Sequence, residues 1–368
     1  MRARKKDRPE ARGRARGESG RSVTIYRIAR EAGVSVSTVS RVLTGAARVS
    51  EAKRLAVEAV IDRHGFRPNA MARNLGRRQS LVIGFILPDV THPFYGAAFL
   101  GAESRALELG YSLLLGNTMN DNIRHVTNVE SRLLSIMLEK QVDGIIMMGG
   151  RVNETRVIPE HLEEMQRVMA QVPVVIAGGR MKGVDCWSIS LDEAHGVGLA
   201  VNYLAALGHR DLGFLGGIRG IEPTDSRMEG FRRGIEDHGM KVKPDWFVES
   251  GFTIEDGRSA MEAFLLMRDR PTALVCFNDL TAVGALYAAR KNGLRVPEEL
   301  SIIGVDNIPL SEYVVPRLTS IDLDARRQGV KAVDVMVEIL EKKSPRRNFV
   351  LQPKLVIRDS CYTRQAAV

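Results

Sequence analysis

The chain has 368 residues, with 53 Lys+Arg against 44 Asp+Glu and a formal net charge of +9. That is length enough for a small module beside a two-lobed core. No run approaches the ~20 apolar residues of a membrane span, and no stretch has the apolar core of a secretory signal, so a cytoplasmic protein with no membrane partner is expected.

Charge is unevenly placed. Residues 1–80 carry 20 basic and 7 acidic side chains, and the remainder 33 and 37. A basic head on a mildly acidic body is the footprint of a nucleic-acid-binding module joined to a sensor. Residues 1–21 include Arg2, Arg4, Lys5, Lys6, Arg8, Arg12, Arg14, Arg16 and Arg21 with no hydrophobic periodicity. They read as a disordered basic arm, which either touches phosphates non-specifically or has no role.

The next stretch, Val23 to Gly45, reads as two helices and a tight turn. Thr24 is placed to cap the first through its hydroxyl, and Ile25, Ile28, Ala29 and Ala32 form an apolar face. Gly33 suits the left-handed turn. Ser35 caps the second helix, with Val39, Val42 and Leu43 as its buried stripe. The other face carries Val36, Ser37, Thr38, Ser40 and Arg41, short groups and one guanidinium able to reach base edges in a major groove. An ordinary αα-hairpin is the plainer alternative. Ser50 is placed to cap a third helix over about 50–64, with Leu55, Ala59, Val60 and Ile61 inward, and Gly65 stops it.

From residue 81 strands and helices alternate. Leu81–Leu87 is a continuous apolar run, as in a strand buried on both faces. A helix follows over about 95–109, a strand at 112–116, a helix around 127–140, and strands at 144–148, 172–176 and 187–190. The same grammar repeats from Gly196, with strands at 212–216, 272–277 and 300–305. This implies two α/β lobes with parallel sheets. Ligands in such sheets sit outside the carboxyl ends of strands. Candidate ligand groups after predicted strands are Phe94, Tyr95, Leu191, Arg227, Phe252, Asn278 and Asp306. Local roles compete: Asn278 and Asp306 are placed to cap helices, Arg227 to sit on the surface, Tyr95 and Phe252 to fill a core. Cys186, Cys276 and Cys361 lie far apart without zinc-like spacing, and read as reduced thiols. No hydrolase elbow, phosphate loop or metalloprotease motif is present in the sequence; neither enzyme activity, cofactor nor metal is expected.

A helical DNA-binding unit, then Pro68-Asn69-Ala70-Met71-Ala72-Arg73-Asn74-Leu75, then a long α/β body resembles the lactose-repressor/galactose-repressor family of bacterial transcriptional regulators. The resemblance covers about residues 22–361. It implies a helix-turn-helix module (22–68), a hinge helix and linker (69–80), and a periplasmic-binding-protein-like body (81–361) before a short tail (362–368). Lobe 1 would comprise about 81–190 and 323–352, lobe 2 about 191–322 and 353–361, with crossings near 190, 322 and 352. Implied DNA contacts are Thr24, Tyr26, Ser35, Val36, Ser37, Thr38, Ser40, Arg41 and Ser50. Asn69, Ala72, Arg73 and Leu75 would contact DNA from the hinge, with Leu75 wedged in the minor groove. Arg227, Asn278 and Asp306 match the family's effector-contacting positions, and Phe252 an aromatic that stacks on the ligand.

There are departures. Leu323 stands where relatives often have glutamine, and Ile221 and Pro223 where some have polar contacts. The implied function is a homodimeric repressor on a pseudo-palindromic operator, in the cytoplasm at the nucleoid, controlled by a sugar or sugar acid in the cleft. A co-repressor-dependent regulator binding a nucleobase, or a solute-binding protein without DNA function, are the alternatives.

Overall fold

A computed structural model describes residues 23–43, 49–66, 79–118, 126–241 and 243–364. The chain divides into two units, residues 1–80 and 81–368. The basic arm and the hinge segment expected at 69–75 fall outside the described residues.

In the first unit, α1 (Ile25–Glu31), α2 (Val36–Leu43) and α3 (Glu51–His64) close on Ile28, Ala29, Val39, Val57 and Val60. Gly33, at φ +65°, turns the chain so that the Val34 amide donates back to the Ala29 carbonyl at 3.0 Å. The Ser35 hydroxyl accepts from the Thr38 amide at 3.2 Å, a side-chain cap on α2. Thr24 and Ser50 hold the corresponding positions on α1 and α3 without a capping bond from their hydroxyls. Their carbonyls take the first helical bonds instead, from Ile28 at 3.1 Å and Arg54 at 3.0 Å. Leu55, expected inward, is 59% exposed, while Val57 is fully buried. Two residues are about 200° around a helix, so the inward stripe is set by Val57 and Val60. Glu31 ties α1 to α3 by accepting from Arg27 Nε at 2.8 Å and pairing with His64 Nε2 at 2.6 Å. The Arg27 hydrogen bond, then that of His64, holds the Glu31 carboxyl down to about 2.

The second unit starts with β1 (Val82–Leu87), α4 (Pro93–Glu108), β2 (Ser112–Asn117), α5 (Val126–Glu139), β3 (Gly144–Met148), α6 (Pro159–Met169), β4 (Val174–Ala177) and β5 (Trp187–Leu191). It continues with α7 (Glu193–Ala206), β6 (Leu212–Leu215), α8 (Glu222–Asp237), β7 (Phe247–Val248), α9 (Ile254–Leu265), β8 (Ala273–Cys276), α10 (Asp279–Lys291) and β9 (Ser301–Val305). It ends with β10 (Thr319–Asp322), α11 (Ala325–Leu340), β11 (Asn348–Leu351) and β12 (Lys354–Val356). Two six-stranded sheets result, ordered β11-β5-β4-β3-β1-β2 and β12-β10-β9-β8-β6-β7. The first is parallel throughout. The second is parallel except for β12, which runs antiparallel to β10. Strands β3 and β9 are buried along their whole length because helices cover both faces of each sheet.

The chain passes between the sheets three times, at 191–193, 322–325 and 351–354. Helix α11 thereby returns to the first lobe and packs on α4. The two approach so closely that a Cβ at Gly329 would meet the Ala98 carbonyl oxygen, and one at Gly101 the carbonyl of Arg326. Beyond β12 the chain stays attached to the second lobe through the Arg364 amide, which donates to the Leu207 carbonyl at 2.8 Å.

Candidate DNA-reading helix and ligand cleft

Helix α2 presents Ser37, Ser40 and Arg41 to solvent, with Val36 and Thr38 partly buried at its flank. Tyr26, on α1, is 73% exposed. The Ser35 hydroxyl is engaged locally, 2.8 Å from Ser37 Oγ and 2.9 Å from Thr38 Oγ1. The expected contacts Thr24 and Ser50 are exposed residues at the starts of α1 and α3. Asn69, Ala72, Arg73 and Leu75 lie outside the described residues.

In the body, a cleft of about 210 Å³ opens between the two lobes at the carboxyl ends of their strands. Phe94, Tyr95, Leu191, Arg227, Phe252, Asn278 and Asp306 all line it. So do Ile221 and Pro223, with Glu222 between them. Leu323 is buried in the core of the second lobe instead. Arg227 is the centre of the second-lobe wall. Its Nε donates to Glu193 Oε2 at 2.6 Å, Nη1 donates to the Phe277 carbonyl, and Nη2 lies 3.4 Å from Asp306 Oδ1. The guanidinium carbon stands 4.4 Å from the Phe277 ring centre, and Phe252 packs on that ring at 4.9 Å. Cation and aromatic faces thus form one continuous surface.

Asn278 serves two purposes. Its Oδ1 accepts from the Thr281 amide at 2.8 Å and caps α10. Its Nδ2 donates to the Phe252 carbonyl at 2.9 Å and reaches to 3.4 Å from His92 Nε2 of the other lobe. Asp306 caps no helix; it sits at φ +109°, a conformation held by surrounding structure. The support comes from Asp279 beneath it. That carboxylate accepts from the Ile308 amide at 2.8 Å, Ser311 at 2.7 Å and Ser320 at 2.6 Å.

Burial governs the electrostatics. It pushes the Asp306 carboxyl well above the usual range, against the opposing pull of Arg227. Burial and then Glu193 raise Glu222 to about 7. Burial takes His92 down to about 4, so the ring is neutral near pH 7. His92 also accepts the Phe94 amide through Nδ1 at 3.3 Å, capping α4. The lobes touch directly at the rim. Glu154 and Ile221 form an antiparallel bridge, and both the amide and the hydroxyl of Thr155 donate to the Gly220 carbonyl at 3.1 Å.

Sequence reasoning missed His92, Asn153, Glu193, Glu222 and Gln328, all of which line the cleft. Glu193 stands two residues past β5, so the rule of polar groups after strand ends was enough to find it. Asn153 and Gln328 gave no local signal. His209 is structural: buried, its Nδ1 is 2.9 Å from Thr272 Oγ1 and its Nε2 3.0 Å from Ser301 Oγ. Among the described residues no cluster of ligating side chains is suited to a metal, and no helix is long and apolar enough to cross a membrane.

Comparison with known proteins bears on both sites. Residues 24–69 match the bacterial regulatory proteins of the lacI family, and residues 201–361 a periplasmic binding protein-like domain. The catabolite control protein A of Priestia megaterium is 35% identical over 334 residues, covering 90% of this chain and 97% of that protein. The transcriptional repressor PurR of Pasteurella multocida is 34% identical, covering 93% and 99%. Among solved structures, a lac repressor dimer bound to operator and the anti-inducer ONPF is 27% identical with a TM-score of 0.81, covering 93% of this chain and all of that one. A complex of the regulator CelR with cellobiose is 25% identical with a TM-score of 0.67, covering 92% and 99%.

Proposed function

The chain belongs to the lacI family of bacterial regulatory proteins, as a DNA-binding transcriptional repressor regulated by a small-molecule effector, and from that premise we propose that the effector is a carbohydrate held between the two lobes. The observation that carries this reading is Arg227 set against Asp306 over the Phe277 and Phe252 rings. A guanidinium and a carboxyl side by side bridge vicinal hydroxyls, while an aromatic face covers the apolar side of a sugar ring. The partner named in the CelR structure is a disaccharide, which supports the class.

The protein acts as a homodimer on a pseudo-palindromic operator, at the nucleoid in the cytoplasm, each protomer laying α2 in a major groove. Val36 and Ser37 set operator preference and Arg41 contacts a guanine edge. Arg41→Ala is expected to cost about 1–3 kcal/mol of discrimination between operator and random DNA, read by fluorescence anisotropy on both duplexes. A ligand changes DNA affinity only by preferring one lobe arrangement over another. The effector does so by touching Arg227 and Asp306 on one lobe and Tyr95 on the other.

Calorimetric titration with a panel of neutral sugars, followed by operator release with the sugar that binds, tests the reading. One site per protomer, lost in Arg227→Ala while operator binding persists, is the expected result. Heat from a nucleobase and from none of the sugars overturns it.

A further inference from the structure

The cleft is rich in carboxyl groups and poor in positive charge. Asp89, Glu154, Glu193, Glu222 and Asp306 line it, against Arg227 and a neutral His92. Arg227 is already committed to Glu193, the Phe277 carbonyl and Asp306. Two amide oxygens on the first-lobe wall have no hydrogen-bond partner, Asn153 Oδ1 and Gln328 Oε1. Both residues are more than nine-tenths buried, Asn153 at 8% exposed and Gln328 at 0%. A buried acceptor without a donor is unfavourable, so each is a place where a donor on the ligand fits. Gln328 keeps its orientation because Nε2 donates to the Ile189 carbonyl at 2.9 Å, which leaves Oε1 as the unpartnered atom of a residue that lines the cleft.

Asn153 and Glu222 come from opposite lobes, flank the antiparallel Glu154–Ile221 bridge and both approach the loop after β4. A Cβ added at Gly178 would lie 3.3 Å from Asn153 Oδ1, and one at Gly179 would lie 3.2 Å from Glu222 Oε2. Glu222 makes no hydrogen bond or ion pair with any described residue, and burial, then Glu193, raises its carboxyl against the weaker opposing pull of Arg227.

We propose, resting on the carbohydrate reading above, that the effector is an amino sugar or a similarly hydroxylated amine whose ammonium group sits between Glu222 and Asn153. Its three N–H donors satisfy the carboxylate and the orphaned amide oxygen at once. Its ring hydroxyls take Arg227, Asp306 and Gln328 Oε1. The same charge balance turns away sugar acids and sugar phosphates. An anion there would meet three carboxyls besides the two that Arg227 engages, in a cleft partly shielded from bulk water. Because Asn153 and Glu222 belong to different lobes, an ammonium between them also joins the lobes, so the charge of the ligand bears on closure as well as on affinity.

The test uses the full-length protein and matched sets of hexosamine, hexose and hexuronate in the gluco, galacto and manno configurations, titrated calorimetrically. In one configuration the hexosamine is expected to bind at least about tenfold tighter than its parent hexose, a difference of about 1.4 kcal/mol, with the hexuronate weakest. Glu222→Gln keeps the shape and removes the charge, and is expected to bring the amine-to-parent ratio close to one. Asn153→Asp adds charge at the same place and is expected to raise it. A hexose that binds as tightly as its amine, with a ratio neither variant moves, overturns the amine and leaves the carbohydrate reading standing. Tight binding of a hexuronate overturns the charge argument. Binding of a nucleobase with no heat from any sugar removes both readings together.

Discussion

Each lobe of the body buries one arginine between two carboxylates, and the two clusters are finished differently. In the first lobe Arg151 donates to Glu130 at 2.7 Å, to Glu164 at 2.6 Å and to Ser131 at 2.9 Å, with its side chain wholly inaccessible. In the second lobe Arg227 has one short ion pair, to Glu193 at 2.6 Å, and one long approach to Asp306 at 3.4 Å. Arg151 is buried within the short turn Gly150–Asn153, while Arg227 lines the cleft. A charge cluster completed by protein atoms alone holds a loop in place. A cluster whose last approach is long, with a raised carboxyl at its open end, is built to be completed by something else. The first lobe offers the ligand unpaired amide oxygens; the second offers a charged anchor already oriented.

Substitutions separate the two roles. Removing the sealed arginine has the largest effect: Arg151→Met strands Glu130 in the core and is expected to cost about 3–5 kcal/mol of stability, measured by urea unfolding. A loss under about 1 kcal/mol would mean the first-lobe cluster is hydrated and the contrast false. At the open end, Asp306→Asn is expected to weaken sugar binding by about 1.5–3 kcal/mol by calorimetry, while thermal stability holds or rises as a buried carboxyl is neutralised. A stability loss equal to that of Arg151→Met would make the two clusters equivalent.

The smallest effect is in pH. Glu222 keeps its proton to about 7 in the fold, against the usual 4.5. The folded state therefore binds more protons across that interval, and stability declines as pH rises from about 5 to 7. Glu222→Gln is expected to flatten this part of a melting-temperature profile, whereas Glu164→Gln leaves it in place. An unchanged slope in Glu222→Gln would assign the effect elsewhere.

Much of this was legible along the chain. Apolar runs announced most of strands β1 to β9, though not β10 to β12, and polar residues just past them announced Asn278 and Asp306, because parallel strands deliver their ends to one edge; Arg227 lies further on, within α8. The helix periodicity located α1 to α3. The failures have local causes. Thr24 and Ser50 have the right residue type for a cap, but a hydroxyl rotor is free to point elsewhere, and theirs do. Leu55 and Val57 are both apolar, and only the angle at which α3 meets its neighbours decides between them. Asn153 and Gln328 stand 175 residues apart in numbering yet serve one cleft; their role depends on an unfilled hydrogen-bonding valence, which no periodicity records.

The three passages between the lobes also govern how this protein can change over generations. The first unit ends at Ser80, and a single splice there exchanges the reader while leaving the receiver whole. No such splice exists within the receiver. A crossover anywhere between residues 192 and 324 would join a first sheet from one ancestor to an α11 and β11 from another, and the Gly101 and Gly329 contacts would have to match across the graft. Recombination at that boundary therefore pairs readers and receivers anew, whereas retuning one receiver to another effector comes by substitution of side chains in the cleft.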